Sequence, residues 1–195
     1  MILPIVAYGT PVLKKEAKEL SPDYPELKNL IENLWETMYA AHGVGLAAPQ
    51  VGLSIRLFIV DASPFAEDES LLKEEAEQLR TFKRVFINPK IISEEGASWA
   101  FNEGCLSIPD IREDVHRKAE VKIRFFDETF TEQTLNLNGL AARVVQHEYD
   151  HIQGILFTDY LSPLKKRLLK NRLQAISNGT VAVEYLMKFP NAKKR

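Results

Sequence analysis

The feature that most constrains this chain is a pair of histidines four residues apart with a glutamate directly after the first: His147, Glu148 and His151. They sit in an apolar segment predicted to be a helix that starts at Asn138-Gly139 and stops at Gly154. Residues four apart share a helix face, so His147 and His151 can hold one metal ion while Glu148 stands beside an open coordination position. The chemistry is hydrolytic: imidazoles hold a divalent cation, and a carboxylate takes a proton from water whose pKa the cation has lowered to about 7. The alternative is a helix with two surface histidines and a solvated carboxylate, so the rest of the chain must decide.

A catalytic site of this kind needs three protein ligands and an open position. In the metzincin pattern the third is a histidine three residues after the glycine, but Phe157 stands there, which excludes that class. Asp159 is too near the helix end to reach round, and Glu184 lies in a basic region. Cys105, the chain's one cysteine, is the better candidate: it has no disulfide partner and follows Glu103-Gly104. A thiolate binds divalent metals strongly. A buried core cysteine or a Cys/His nucleophile remain the alternatives, though the latter leaves His151 without a purpose. A structural metal module would need a fourth ligand, for which His42 and His116 are the unused histidines.

With 195 residues, 45% of them hydrophobic, the chain fits one domain spanning 1–195. No apolar run approaches the roughly 20 residues of a membrane helix, and residues 2–6 do not read as a signal peptide, so a cytoplasmic protein is expected. Net charge is −2 but uneven: residues 161–195 hold nine Lys or Arg against Glu184 alone. A basic extension can meet an anionic partner such as RNA, or be merely the solvated face of a terminal helix.

Leu27, Leu30, Ile31, Leu34 and Met38 predict an amphipathic helix over 25–42, and residues 43–50 a small, bendable loop. Residues 55–60 read as a buried strand and 61–82 as an acidic surface insertion, with strands at 85–87 and 91–92 around Asn88-Pro89. Alternation over 121–125 and at Leu135 and Leu137 predicts a hairpin. Ser162-Pro163 opens a basic helix to about Ile176, and Val181, Val183 and Tyr185 alternate as a terminal strand. The expected class is α+β: mixed or antiparallel sheets around a central metal-binding helix, with a basic C-terminal helix and a short terminal strand.

Three stretches, taken together, resemble one family. Residues 43–50 (GVGLAAPQ), 103–107 (EGCLS) and 147–151 (HEYDH) match in order the three motifs of bacterial-type peptide deformylases. The resemblance covers about 9–164 and is weaker in the insertion and the tail. It implies removal of the formyl group from the N-terminal methionine of nascent polypeptides, with release of formate. Metallopeptidase action on unformylated peptides and a structural metal module are the other readings.

By this resemblance Cys105, His147 and His151 are the metal ligands, Glu148 is general base and then general acid, and Gln50 with the Leu106 N–H stabilises the oxyanion. Gly45 and Gly104 join the substrate-binding residues, Arg112 meets substrate backbone, and Glu103 with Arg117 forms a supporting ion pair. Helical spacing puts Leu140, Arg143 and Val144 on the side of His147. We expect Val44, Leu140 and Val144 to line an apolar methionine pocket with Arg143 at its rim; on pattern alone the helix residues could equally be core. Asp150 is expected to be a structural acceptor. Thiolate plus two imidazoles suits zinc, Fe(II), cobalt or nickel; the resemblance favours Fe(II) in the cell. Expected partners are formylmethionyl peptides and, through the basic region, the ribosome, with no membrane and no sequence-specific nucleic acid.

Overall fold

A computed structural model describes residues 1–192. The basic residues Lys193, Lys194 and Arg195 therefore lie outside the described residues. The main sheet has the order β2 (Gly45–Ala47), β3 (Leu57–Asp61), β4 (Lys83–Cys105), β5 (Ile108–Phe126) and β6 (Glu132–Asn138), and every pairing in it is antiparallel. The apolar run in β3 is continuous because both its faces are covered. Phe58 and Val60 enter one core with Phe86 and Phe125, whereas Leu57 and Ile59 enter a second with Leu34 and Met38 of α1 (Leu27–Ala40). Alternate residues of a strand point to opposite faces, so one segment serves both layers.

The first core packs against α3 (Gly139–Ile152), through Ala142, Val145 and Ile152. Arg143, Gln146, Glu148, Asp150 and His151 are buried on the same helix. A helix enclosed nearly all round must partner its polar groups internally or leave them poised for a ligand. α3 is thus the central element predicted from the histidine spacing. Gly154 ends it at φ 73°, and a Cβ there would stand 2.8 Å from the Lys14 carbonyl carbon, so no other residue fits.

β4 and β5 form a long twisted hairpin. Asn88-Pro89, predicted to separate two strands, is instead a register shift inside β4: Asn88 takes φ 48°, and its amide both donates to and accepts from Leu20 at 2.7 Å. The far half of the hairpin ends in a tight turn at Leu106 and Ser107, with Cys105 opposite Ile108.

Several expectations need correction. Residues 43–50 are not a free loop: β2 and a 3-10 turn over Ala48–Val51 hold Gln50 buried. The 61–82 insertion is more than surface. It carries α2 (Lys73–Arg80), and Ala62, Ala66 and Leu79 enter the α3 core. α4 (Pro163–Asn178) starts as predicted, with Ser162 Oγ accepting from the Lys165 amide at 3.3 Å, and runs two residues beyond the predicted Ile176. The terminal strand is not at 181–185 but at β7 (Met187–Lys188), which pairs in parallel with β1 (Ile5–Val6). Val181 packs with the α4 core and Tyr185 with the α1 core, so the alternation of 181–185 records packing of an irregular segment. Among the described residues, no helix is long and apolar enough to cross a membrane.

Candidate metal centre

Cys105 ends β4 at the tip of the long hairpin, and the hairpin folds back over α3. There, donor atoms of Cys105, His147 and His151 lie within 4.8 Å of one another, with Cys105 Sγ 3.3 Å from His151 Nε2. Ligands about 2.1–2.3 Å from one tetrahedral metal are separated by about 3.5 Å. The thiol and imidazoles therefore fit a single ion. The cluster offers three such side chains, which suits a catalytic site with an open position better than a closed structural one.

The His147 ring is held from behind: its Nδ1 is 2.9 Å from Glu103 Oε2, which leaves Nε2 as the free nitrogen. Glu103 also accepts from Arg117 Nε (2.7 Å) and Nη2 (3.0 Å) and from Arg143 Nη1 (3.0 Å). Burial alone would raise this carboxyl, but the hydrogen bonds and charges of His147 and Arg117 hold it well below the usual carboxylate range. The expected Glu103–Arg117 pair is present, and Arg117 extends it to Asp150 Oδ2 at 2.6 Å. Asp150, placed as a structural acceptor, also accepts from the Tyr160 hydroxyl at 3.1 Å.

Glu148 is 4% exposed and its Oε2 has no hydrogen-bond partner. Burial, reinforced by the charges of Glu103 and Asp150 and opposed by His147 and Arg117, pushes its carboxyl up to about 7. Gly45 leaves it room, because a Cβ on Gly45 would stand 2.5 Å from Glu148 Oε1 and push the carboxylate aside. Gln50 is fixed through its Oε1, which accepts from the Ala47 amide at 2.8 Å. Its Nε2 points to Cys105 Sγ at 3.6 Å and Ser107 Oγ at 3.5 Å.

A cavity of about 470 Å³ opens beside the cluster and is lined by Val44, Gly45, Gln50, Gly104, Leu106, Arg112, Arg143, Val144 and Glu148, among others. Leu140, predicted to line it, does not: it is buried one turn back in the α3 core. Arg143 lies not at the rim but in the wall, 2% exposed. Its guanidinium stacks over Trp99 and donates to the Trp99 and Val115 carbonyls, fastening α3 to the hairpin. Arg112 reaches the cavity while its guanidinium also bonds Asn102. Sequence reasoning missed Phe65, Phe101 and Tyr185 in the lining. Phe65 comes from the insertion and meets Phe101 edge-on; no local pattern marks such a long-range contact.

Three convergent soft and borderline donors, a buried carboxylate and an apolar cleft define a metallohydrolase. The chain matches the family described as polypeptide deformylase over residues 2–167. A peptide deformylase of Christiangramia forsetii is 61% identical over 194 residues, covering 100% of this chain and 99% of that one. One from Flavobacterium johnsoniae is 59% identical at the same coverage. The crystal structure of a peptide deformylase from Legionella pneumophila superposes with a TM-score of 0.76 at 35% identity, covering 92% of this chain and 98% of that chain. The chain belongs to the peptide deformylase family, metal-dependent hydrolases that remove the N-formyl group from nascent polypeptides.

Proposed function

We propose that Cys105, His147 and His151 hold one divalent metal ion and that Glu148 moves the protons of deformylation. The bound cation would supply Lewis-acid activation of water. Glu148, buried with one oxygen unpartnered beside the cluster, is the observation that carries this reading. Its carboxylate takes the proton from water and returns it to the leaving amine nitrogen, so one group serves in both steps. Gln50 Nε2 and the Leu106 N–H face the formyl oxygen as charge develops on it. Val44 and Val144 receive the methionine side chain, and Gly45, Gly104 and Arg112 meet the peptide backbone. Formate release from formyl-Met-Ala-Ser, with and without chelator, tests the assignment. Glu148→Ala should retain metal while losing about 100-fold or more in kcat; unchanged turnover sinks Glu148 as the base.

Fe(II) is our choice of metal in the cell, on the resemblance to the deformylase family, since the thiolate and two imidazoles suit zinc, nickel and cobalt as well. Metal analysis of anaerobically purified protein checks it. We place the whole chain in one catalytic domain that includes 161–195, because α4 and β7 pack onto its core. Its site of action is the cytosol, where nascent chains emerge. Ribosome docking through α4 is favoured by the exposed Lys166, Arg167 and Lys170 beside exposed Leu164 and Leu168. Co-sedimentation that survives reversal of those three charges would remove it.

A further inference from the structure

Residues 180–188 lie beyond the stretch matched by the family, 2–167, yet one of their side chains reaches the site. The Tyr185 hydroxyl donates to the Leu106 carbonyl at 2.7 Å, and its ring lines the cavity. Leu106 and Ser107 are the central residues of the turn between Cys105 and Ile108, so this carbonyl belongs to the central peptide of that turn. The Leu106 N–H lies on the preceding Cys105–Leu106 peptide and is tied to this carbonyl through the Leu106 Cα, so a Leu106 whose carbonyl is unheld can rock and carry its N–H with it. A hydroxyl on that oxygen removes this freedom.

The anchor is itself fixed. Next to Tyr185, the Leu186 carbonyl accepts from the Ile5 amide and the Lys188 carbonyl from the Ala7 amide, both at 2.9 Å. The same terminal layer takes the second half of the turn, because the Tyr8 amide donates to the Ser107 carbonyl at 2.8 Å. Both carbonyls of the turn are thus held by the layer that joins β1 to β7. Gln50 Nε2 also meets Ser107 Oγ, at 3.5 Å.

We infer that Tyr185 is a positioning residue for deformylation: it locks the Leu106–Ser107 turn so that the Leu106 N–H keeps its aim at the formyl oxygen. The inference rests on the deformylase reading. Donors aimed in advance are worth most where the site is dry, and a turn that samples two states loses that benefit for part of the time.

Tyr185→Phe removes the hydroxyl and keeps the ring. In the metal-loaded full chain, kcat for formyl-Met-Ala-Ser should fall about fivefold, with KM, Tm and metal content retained. The Leu106 and Ser107 amides should exchange faster by NMR. Tyr185→Leu, which also loses packing, should raise KM and lower Tm in addition. Unchanged kcat in Tyr185→Phe, or a loss that follows Tm and KM alone, overturns the inference in favour of a plain tail clamp. If the wild type releases no formate, the deformylase reading fails by itself, and unaltered Leu106 and Ser107 exchange in Tyr185→Phe would then reject the turn lock independently.

Discussion

Glu103 Oε2 stands 2.9 Å from His147 Nδ1, and the same carboxylate is gripped by Arg117 and Arg143. One side chain therefore orients His147, a proposed metal ligand, and pairs with two buried cations, sharing Arg117 with Asp150. Glu103→Gln keeps the shape but removes the charge. Metal affinity should fall about 10–100-fold, since the groups behind a ligand fix its ring and basicity. Stability should drop by about 3–5 kcal/mol, because Arg117 and Arg143 lose their shared partner. Competition with a chelator and urea denaturation measure the two effects, and undiminished metal affinity would show that Glu103 is only structural.

Gly45 is the second point of vulnerability. A Cβ there would stand 2.5 Å from Glu148 Oε1, so Gly45→Ala displaces the carboxylate. Turnover should fall about 100-fold with metal retained, approaching the Glu148→Ala variant. A double variant, Gly45→Ala with Glu148→Ala, should be no worse than Glu148→Ala alone; additive losses would separate the two residues.

Val144 faces the cavity from α3, one turn before Glu148. Val144→Phe fills the space assigned to methionine. KM for formyl-Met-Ala-Ser should rise at least about tenfold, with a smaller effect on a formyl peptide that begins with alanine. Equal effects on both peptides would place the methionine elsewhere.

Asp61 supplies a pH prediction away from the metal. Burial tends to raise its carboxyl, but hydrogen bonds from Ser63 and Tyr39 outweigh this and hold it below the usual carboxylate range. A folded pKa below the unfolded one adds stability above the unfolded value, and that stability is lost as pH falls through the folded value. The wild type should therefore lose Tm below about pH 4 more steeply than Asp61→Asn. Parallel curves for the two proteins would contradict it.

The histidine helix was legible because its information is local: the i, i+4 spacing and Gly154 fix face and end alike. Cys105 was legible by elimination and by its motif. Arg143 was not, because helical spacing from His147 placed it only on the pocket side, at the rim. Its burial depends on the Trp99 and Val115 carbonyls, which the β4–β5 register brings to it. Tyr185 was misread for a related reason. Alternation of apolar residues marks a strand only when a partner ladder exists, and the partner, Ile5–Val6, aligns with Met187–Lys188 instead. Leu140 shows the converse: helical spacing gave its face correctly, but the cavity ends one turn short of it.

The pairing of Ile5–Val6 with Met187–Lys188 also sets a timetable. The first strand is synthesised early and must wait for the last; at about 5–20 residues per second the delay is on the order of ten seconds or more. Until then the Leu106–Ser107 turn lacks both Tyr185 and its neighbouring strand. A protein whose substrates are growing chains thus completes its own site only after residues 185–188 have been made.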